Sequence, residues 1–269
     1  MKKKKINAYL LVGILITGAL LLMTLVGVFH TPYDPNAFVD VKFQGPSAAH
    51  LFGTDNFGRD IFSRVLKGSG NTLAIALATV AIGAVVGTLV GAVTGYFGGI
   101  VDDTLMRLND ALTAFPSILL ALLVISLVGP GKYNVVLALG LVFGPSFARV
   151  TRTAFAGLRD VNYITSARLM GASNLRILAV HMLPNTMRVL LPAITIGFNN
   201  AVLAEASMSF LGIGVTPPDA SLGYMLSEAQ SMFARAPWYA LCTGGVIAAL
   251  VFGAGLIGEG LQKMDREVA

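Results

Sequence analysis

The 269-residue chain has few charged residues. Asp, Glu, Lys and Arg together make up 12% of it, whereas soluble domains usually carry about 25%. Hydrophobic residues make up 55%, and the mean hydropathy is +0.74. Because so little charge cannot cover a water-facing surface of this size, the composition argues against a soluble protein and predicts one that lies in a membrane.

Signals for disulfides and for nucleic acid are also missing. The only cysteine, Cys242, lies in an apolar stretch, which indicates neither a disulfide framework nor a metal site. The formal net charge is +5, but the basic residues are dispersed and aromatic residues are not interleaved with them. We expect no nucleic-acid partner, and we interpret the basic residues as markers of the cytoplasmic side of a membrane.

Recognisable nucleotide and metal motifs are absent from the sequence. Residues 126–133 (SLVGPGKY) come near to a phosphate loop, which requires a glycine five residues before its Gly-Lys pair and Ser or Thr after it. Ser126 and Tyr133 occupy those two positions. The three histidines are scattered, and no His-Glu-x-x-His motif occurs. We expect this chain to hold no catalytic residue, cofactor or metal.

Six apolar stretches are candidates for membrane-spanning helices, which need roughly 20 mostly apolar residues. They cover, approximately, residues 6–29, 72–97, 111–128, 133–148, 189–213 and 239–258. The fourth is short, and we expect it to extend past Arg149. The sequence therefore predicts an all-α polytopic membrane protein with six transmembrane helices.

Lys and Arg concentrate in alternate joints between these stretches, as the positive-inside rule requires of cytoplasmic segments. The joints that hold 13 of the 19 Lys and Arg residues are residues 1–5, 98–110, 149–188 and 259–269. This distribution predicts that both termini lie in the cytoplasm.

The polar segment between the first two stretches would then lie outside. Its apolar residues recur at helical spacing: Phe57, Ile61, Phe62 and Val65. This predicts an amphipathic helix at the outer interface, capped by Thr54 or Asp55. The expected division of the chain is a first helix and extracytoplasmic loop (residues 1–71), a transmembrane domain (72–260) and a cytoplasmic tail (261–269).

The second stretch carries a glycine at every fourth position: Gly83, Gly87, Gly91 and Gly95. On a helix these four form one stripe where another backbone can approach closely. We interpret the stripe as a helix-packing face.

One acidic residue, Glu205, lies well inside a predicted span, where a charge is costly. Asn199 and Asn200 precede it by one to two turns. We expect the three to mark a polar face that lines a translocation path or gate. A hydrogen-bond network that only holds the helices together is the alternative.

Residues 164–185 (ITSARLMGASNLRILAVHMLPN) differ from the apolar runs on either side. Helical spacing breaks at Gly171, Ser173 or Asn174 can cap a second helix, and Pro184 discourages its continuation. The pattern predicts two short helices with a sharp turn. This projection would dock into another protein, or its basic residues would bind anionic lipid headgroups.

The same stretch resembles the EAA loop of bacterial ABC-importer permeases, whose pattern is Glu-Ala-Ala, three residues, Gly, and about nine residues later apolar-x-Leu-Pro. Gly171 matches the glycine, and Leu183 with Pro184 matches the end. Thr165, Ser166 and Ala167 stand at the Glu-Ala-Ala positions, so the acidic residue is replaced by Thr165. Residues 52–64, 110–123 and 209–223 resemble the C-type permease of dipeptide, oligopeptide and nickel uptake systems.

This resemblance implies a type I ABC importer permease in the inner membrane of a bacterium. Its implied partners are a homologous B-type permease subunit, two ATPase subunits that consume ATP, and an extracytoplasmic substrate-binding protein. The residues it assigns to ATPase coupling are Thr165, Ser166, Ala167, Gly171, Ala172, Ser173, Leu183 and Pro184.

The cargo is not encoded in any motif of this chain. We expect peptides, with nickel or a metal–metallophore complex as the alternative cargo of the same machinery. A secondary transporter driven by an ion gradient is the rival class. Such a transporter usually shows internal repeats and more intramembrane charge.

Overall fold

The computed structural model describes residues 7–266 and is almost entirely helical. The helices are α1 (Ala8–Phe29), α2 (Ile61–Phe97), α3 (Gly99–Thr113), α4 (Ser117–Val128), α5 (Lys132–Leu158), α6 (Asn162–Leu169), α7 (Asn174–Phe210), α8 (Leu222–Ser231) and α9 (Pro237–Arg266). Five of them, namely α1, α2, α5, α7 and α9, are long and apolar enough to cross a membrane.

The third predicted span, residues 111–128, is not one straight helix. The chain bends by 89° between α3 and α4, next to Pro116, whose ring pushes the preceding residue out of the helical conformation. The 12 residues of α4 measure about 18 Å, which is short of a bilayer core of about 30 Å. The described residues therefore contain six spans only if this bent pair counts as one.

The predicted amphipathic helix on the outer interface is wrong as a separate element. Ile61, Phe62 and Val65 lie in the first turns of α2, where Ile61 and Val65 are fully buried, whereas Phe57 precedes the helix and is exposed. The N-cap is Asp60, whose Oδ2 accepts a hydrogen bond from the backbone N–H of Ser63 at 2.7 Å, rather than Thr54 or Asp55. Because α2 is continuous, the expected boundary at residue 71 moves to residue 60.

Pro184 does not end the helix that contains it, contrary to the expectation from the sequence. Helix α7 runs from Asn174 to Phe210, and its residues Ile177–Met182 form a π-helical turn. A proline in a helix lacks an N–H and crowds the carbonyl four residues earlier. A wider π turn just before it is a common way to absorb such an irregularity.

Helix α2 packs against α5 along its glycine stripe. A Cβ atom added at Gly87, Gly91 or Gly95 would lie only 2.6–2.7 Å from the Cβ atoms of α5 residues, and one at Gly83 would lie 3.2 Å from the Cβ of Phe143. The backbones of α2 and α5 therefore approach as closely as glycine allows. This contact joins the two ends of the molecule.

Candidate functional site

Residues 162–185, which we call the knob, form a helical hairpin at the end of the bundle. Helix α6 ends in a turn where Gly171 has φ +83°. The backbone N–H groups of Met170 and Ala172 donate back to the carbonyls of Ser166 and Ala167, both at 3.0 Å. Among the described residues no atom would lie within 4 Å of a Cβ at Gly171, so its positive φ is the reason for glycine here.

The start of α7 is capped as the sequence predicted. The Ser173 side chain accepts a hydrogen bond from the backbone N–H of Arg176 at 3.4 Å. Asn185 then ties the two arms of the hairpin together, because its side-chain amide donates to the Tyr163 hydroxyl at 3.2 Å and to the His181 carbonyl at 2.7 Å. The knob is thus internally braced at both its turn and its base.

One face of the knob is anchored to the ends of α2 and α5. Its buried residues pack with two aromatic residues of those helices, and the cluster consists of Ile164, Ala167, Ile177, Met182, Tyr96 and Phe155. The Tyr96 hydroxyl also donates to Oδ1 of Asn174 at 2.8 Å. A movement of the knob would therefore be passed on to the long helices.

The opposite face carries apolar side chains into the surroundings. Leu169 is 85% exposed, Met170 81% and Leu175 76%, and all three flank the turn at Gly171. An exposed apolar patch of this kind marks an interaction surface. We call these three residues the tip.

The residues assigned to ATPase coupling are spread over both faces of the knob. Ala167 is buried, whereas Ala172 and Leu183 are partly exposed. The exposed members are Thr165, Ser166, Gly171, Ser173 and Pro184. The sequence motif locates the knob, but the most exposed side chains, those of the tip, lie between its motif positions.

Glu205 lies fully buried near the far end of α7. The Ser209 hydroxyl donates to its Oε1 at 2.7 Å and also accepts a hydrogen bond from the backbone N–H of Val215 at 3.0 Å. The side chains of Thr72 and Ser221 are near the same carboxyl group, but its Oε2 accepts no hydrogen bond from the described residues. Glu205 is therefore hydrogen-bonded through Oε1 to Ser209 and packs beside α2 and the segment that leads into α8.

The three polar residues of α7 do not converge on one face. Asn200 is exposed, Asn199 is half-buried beside Gly255 on α9, and Glu205 is enclosed by the chain's own helices. The three residues therefore do not share one face of α7, and their place along a translocation path stays a prediction. On a helix, side chains five or six residues apart point to different sides, so Glu205 faces away from both Asn199 and Asn200.

Sequence reasoning missed a polar cluster at the opposite end of the molecule. It consists of Asp55, Arg59, Arg64, Glu228 and Tyr239. Asp55 Oδ2 accepts from Arg59 Nε at 2.6 Å and from a terminal nitrogen of Arg64 at 3.3 Å. Glu228 accepts from the same two arginines at 3.0 and 2.7 Å. The i, i+4 spacing of Asp55 and Arg59 is a sequence signal for one pair, but Glu228 is far away in the chain.

The two carboxylates also favour the charged form of Arg59. Burial alone lowers the pKa of the Arg59 guanidinium, but the carboxylates of Asp55 and Glu228 outweigh that effect and raise the pKa above its ordinary value. A second group adjoins the cluster, in which the His50 ring contacts Asp60 at 2.8 Å and Asp40 at 3.3 Å. Together these contacts fix residues 30–60 onto α2 and α8.

Comparison with known proteins gives a consistent result. A family model described as binding-protein-dependent transport system inner membrane component matches residues 87–263. The dipeptide transport system permease protein DppC of Alkalihalophilus pseudofirmus is 35% identical over 97% of this chain and 86% of its own length. A putative peptide transport system permease protein of Brucella suis is 40% identical over 94% and 86%, respectively. The glutathione transport system permease protein GsiD of Pectobacterium atrosepticum is 40% identical over 86% and 77%.

Solved structures with the same fold include the MetNI methionine ABC transporter in an inward-facing conformation. The TM-score is 0.59 at 23% sequence identity, and the match covers 77% of this chain and 96% of the other. At this identity the likeness concerns the fold alone.

Proposed function

Because the chain belongs to the family of binding-protein-dependent transport system inner membrane components, we propose that it forms half of the translocation path of a peptide importer. It is a multi-pass protein of the bacterial inner membrane and is not itself an enzyme. Importers of this family work with ATPases, which use the ATP, and with a substrate-binding protein. An ion-driven secondary transporter, the rival class, does not belong to this family.

The observation that carries the proposal is the braced knob with its exposed apolar tip. Exposure of the apolar side chains of Leu169, Met170 and Leu175 to solvent is unfavourable in an isolated bundle, whereas an ATPase with an apolar cleft would bury them. The cation-rich joints and the position of the knob among them support a cytoplasmic location for the knob and both termini. The knob would then face the compartment that holds ATP.

Helix α7 supplies a mechanical link from the knob to the interior of the bundle. Its 37 residues extend about 55 Å, from the turn at Ser173 to the hydrogen-bonded group around Glu205. Closure of the ATPases would displace the tip and with it α7. Because Ile177 and Met182 of α7 pack against α2 and α5, those two helices would move as well. This provides a route by which ATP binding alternates the access of the bundle.

The finer assembly consists of this chain, a homologous B-type permease, two ATPase subunits and an extracytoplasmic binding protein. Large apolar side chains exposed on α1, α4 and α9 support a surface shared between lipid and a second permease. The cargo is a peptide, as the names of the dipeptide and peptide relatives suggest. Nickel or a metallophore complex is the alternative, and the binding protein would choose between them.

The first prediction concerns the tip. A Leu169→Ser/Met170→Ser double variant, and separately Gly171→Pro, should insert and pair with the second permease but lose the ATPase and the uptake of a labelled dipeptide. Pull-down of the tagged subunit from detergent-solubilised host membranes, followed by mass spectrometry, measures the partners. Leu51→Ser at the opposite end, another exposed leucine, is the control that should keep the ATPase. Retention of the ATPase by both knob variants would contradict the proposal.

A further inference from the structure

The charged residues of the knob are all basic. The knob contains Arg168 and Arg176, together with His181, and Arg188 follows it; residues 161–188 include neither Asp nor Glu. Thr165, at the position where the resembling loop is acidic, is exposed and uncharged. The knob therefore offers no anion to a partner.

Two of these cations lie beside the tip and have no internal counter-ion. Arg168 precedes Leu169 and Arg176 follows Leu175, and both side chains are exposed. Among the side chains described, residues 7–264, no carboxylate oxygen lies within 4.0 Å of either guanidinium. Arg168 instead rests over the Tyr96 ring, 5.5 Å from its centre, a contact that positions the guanidinium without neutralising it.

The surface next to the tip has a shallow, open groove. This groove of about 400 Å³ lies between the ends of α2, α5 and the knob. Its lining consists of Tyr96, Phe97, Arg159, Asp160, Arg168 and Asn174. Asp160, which is exposed, is 3.6 Å from Arg159, whereas Arg168 has no carboxylate oxygen of the described residues within 4.0 Å.

A partner that covers this surface must match its charge. Bringing a cation against a neutral or basic surface removes water from the cation without replacement, whereas a facing carboxylate offsets part of that loss, speeds association and disfavours wrong partners. Building on the proposed function, we propose that the ATPase surface that receives the knob is an apolar cleft rimmed by carboxylates. These carboxylates pair with Arg168 and Arg176 while the cleft buries the tip.

An anionic lipid surface would attract the same cations, but the structure favours a protein. Helices that lie on membranes bury a continuous apolar stripe among the lipids. In α6, which has only eight residues, the apolar positions Ile164 and Ala167 are already buried against the bundle. What remains exposed is a compact tip beside two cations, which suits a cleft better than a flat surface.

The test uses the complete permease pair and the purified ATPase subunits of the same host. An Arg168→Glu/Arg176→Glu double variant should bind the ATPase at least about tenfold more weakly at low salt, because each pair becomes repulsive. The double Lys variant should stay close to the wild type, and wild-type affinity should fall as salt rises. Arg107→Glu on α3, an exposed arginine outside the knob, is the single-charge control that should have little effect.

The outcomes separate this inference from the proposed function. Loss of binding in the tip variant with unchanged binding in the Glu variant would overturn the acidic rim and leave the coupling role intact. Unchanged binding in both would overturn both. A Glu-variant defect that appears in nanodiscs of anionic lipid but not in zwitterionic nanodiscs would assign the cations to lipid headgroups and overturn the acidic rim.

Discussion

The two ends of α2 use charge in opposite ways. Where α2 begins, Arg59 and Arg64 are paired with Asp55 and Glu228 at 2.6–3.3 Å, and Arg64 and Asp55 are buried. Where α2 ends, Arg168 and Arg176 of the knob are exposed and have no carboxylate of the described chain within 4.0 Å. We call the first region the loop end and the second the knob end.

The difference separates a structural role from a binding role. At the loop end, the carboxylates and guanidinium groups satisfy one another and fix residues 30–60 to the bundle, so little charge is left for a partner. At the knob end Arg152 also pairs with Asp102, but the knob itself is anchored by its inward-facing apolar residues. Its own cations, Arg168 and Arg176, stay available. Removing one member of a buried ion pair is costly, so the charges of the loop end serve the fold, whereas unneutralised charges next to an apolar tip indicate an interface.

The largest expected effect comes from breaking the loop end at Asp55. Asp55→Asn removes one of two carboxylates shared by Arg59 and Arg64, and leaving buried guanidinium groups short of a counter-ion costs about 3–5 kcal/mol. Thermal unfolding of the purified permease in detergent should show a large drop in midpoint. Uptake should fall only as far as the amount of folded protein falls.

The matched control is the same substitution at the knob end. Asp160 is 80% exposed and 3.6 Å from Arg159, and an exposed pair contributes about 0–1 kcal/mol. Asp160→Asn should therefore unfold close to the wild type. Equal destabilisation by the two substitutions would contradict the distinction between the ends.

A smaller effect is expected from the glycine stripe that joins the two ends. Gly91→Leu places a side chain where even a Cβ lies 2.6 Å from the Cβ of Thr151, and such overpacking costs about 1–3 kcal/mol, occasionally more. Forcing α2 and α5 apart should also loosen the support of the knob, so ATPase binding should weaken together with stability.

Gly245→Leu on α9 is the control for this substitution, since no atom lies within 4 Å of a Cβ there. It should leave the unfolding midpoint close to the wild type. If Gly91→Leu is equally neutral, α2 and α5 are free to separate, and the stripe is not the contact that holds the ends in register.

Features with a local signature were predictable from the sequence. The share of hydrophobic residues, 55%, indicated a membrane protein. The glycine at every fourth position indicated the face that meets α5, and Gly171 with Ser173 indicated the hairpin turn. Each of these depends on neighbours within a few residues, such as the positive φ at Gly171. The family follows from several such motifs in order.

Features that depend on distant partners were not predictable. The spacing of Ile61 and Val65 predicted a helix lying on the membrane surface, but both side chains pack against α8 and α9 instead. The continuation of α7 past Pro184 was also not predictable, although its cause is local: a π turn just before the proline accommodates it. Glu228 gives no local sign that it binds two arginines more than 160 residues earlier.

The smallest effect is expected at Glu205. A substitution there tests whether this buried carboxylate has a structural role, like those of the loop end, or a role in transport. The amide oxygen of Gln can still accept the hydrogen bond from the Ser209 hydroxyl. Glu205→Gln therefore replaces the carboxyl group with a neutral amide of similar shape and should lower the free energy of unfolding by about 1 kcal/mol. Dipeptide uptake per folded complex should then stay near the wild type, because Glu205 is enclosed by α2, α7 and the segment before α8. Asn200→Ala provides the comparison, since Asn200 is exposed on the same helix and should leave stability unchanged. A loss of uptake in Glu205→Gln at an unchanged unfolding midpoint would mean that the helices around it open during transport and bring the carboxylate to the cargo.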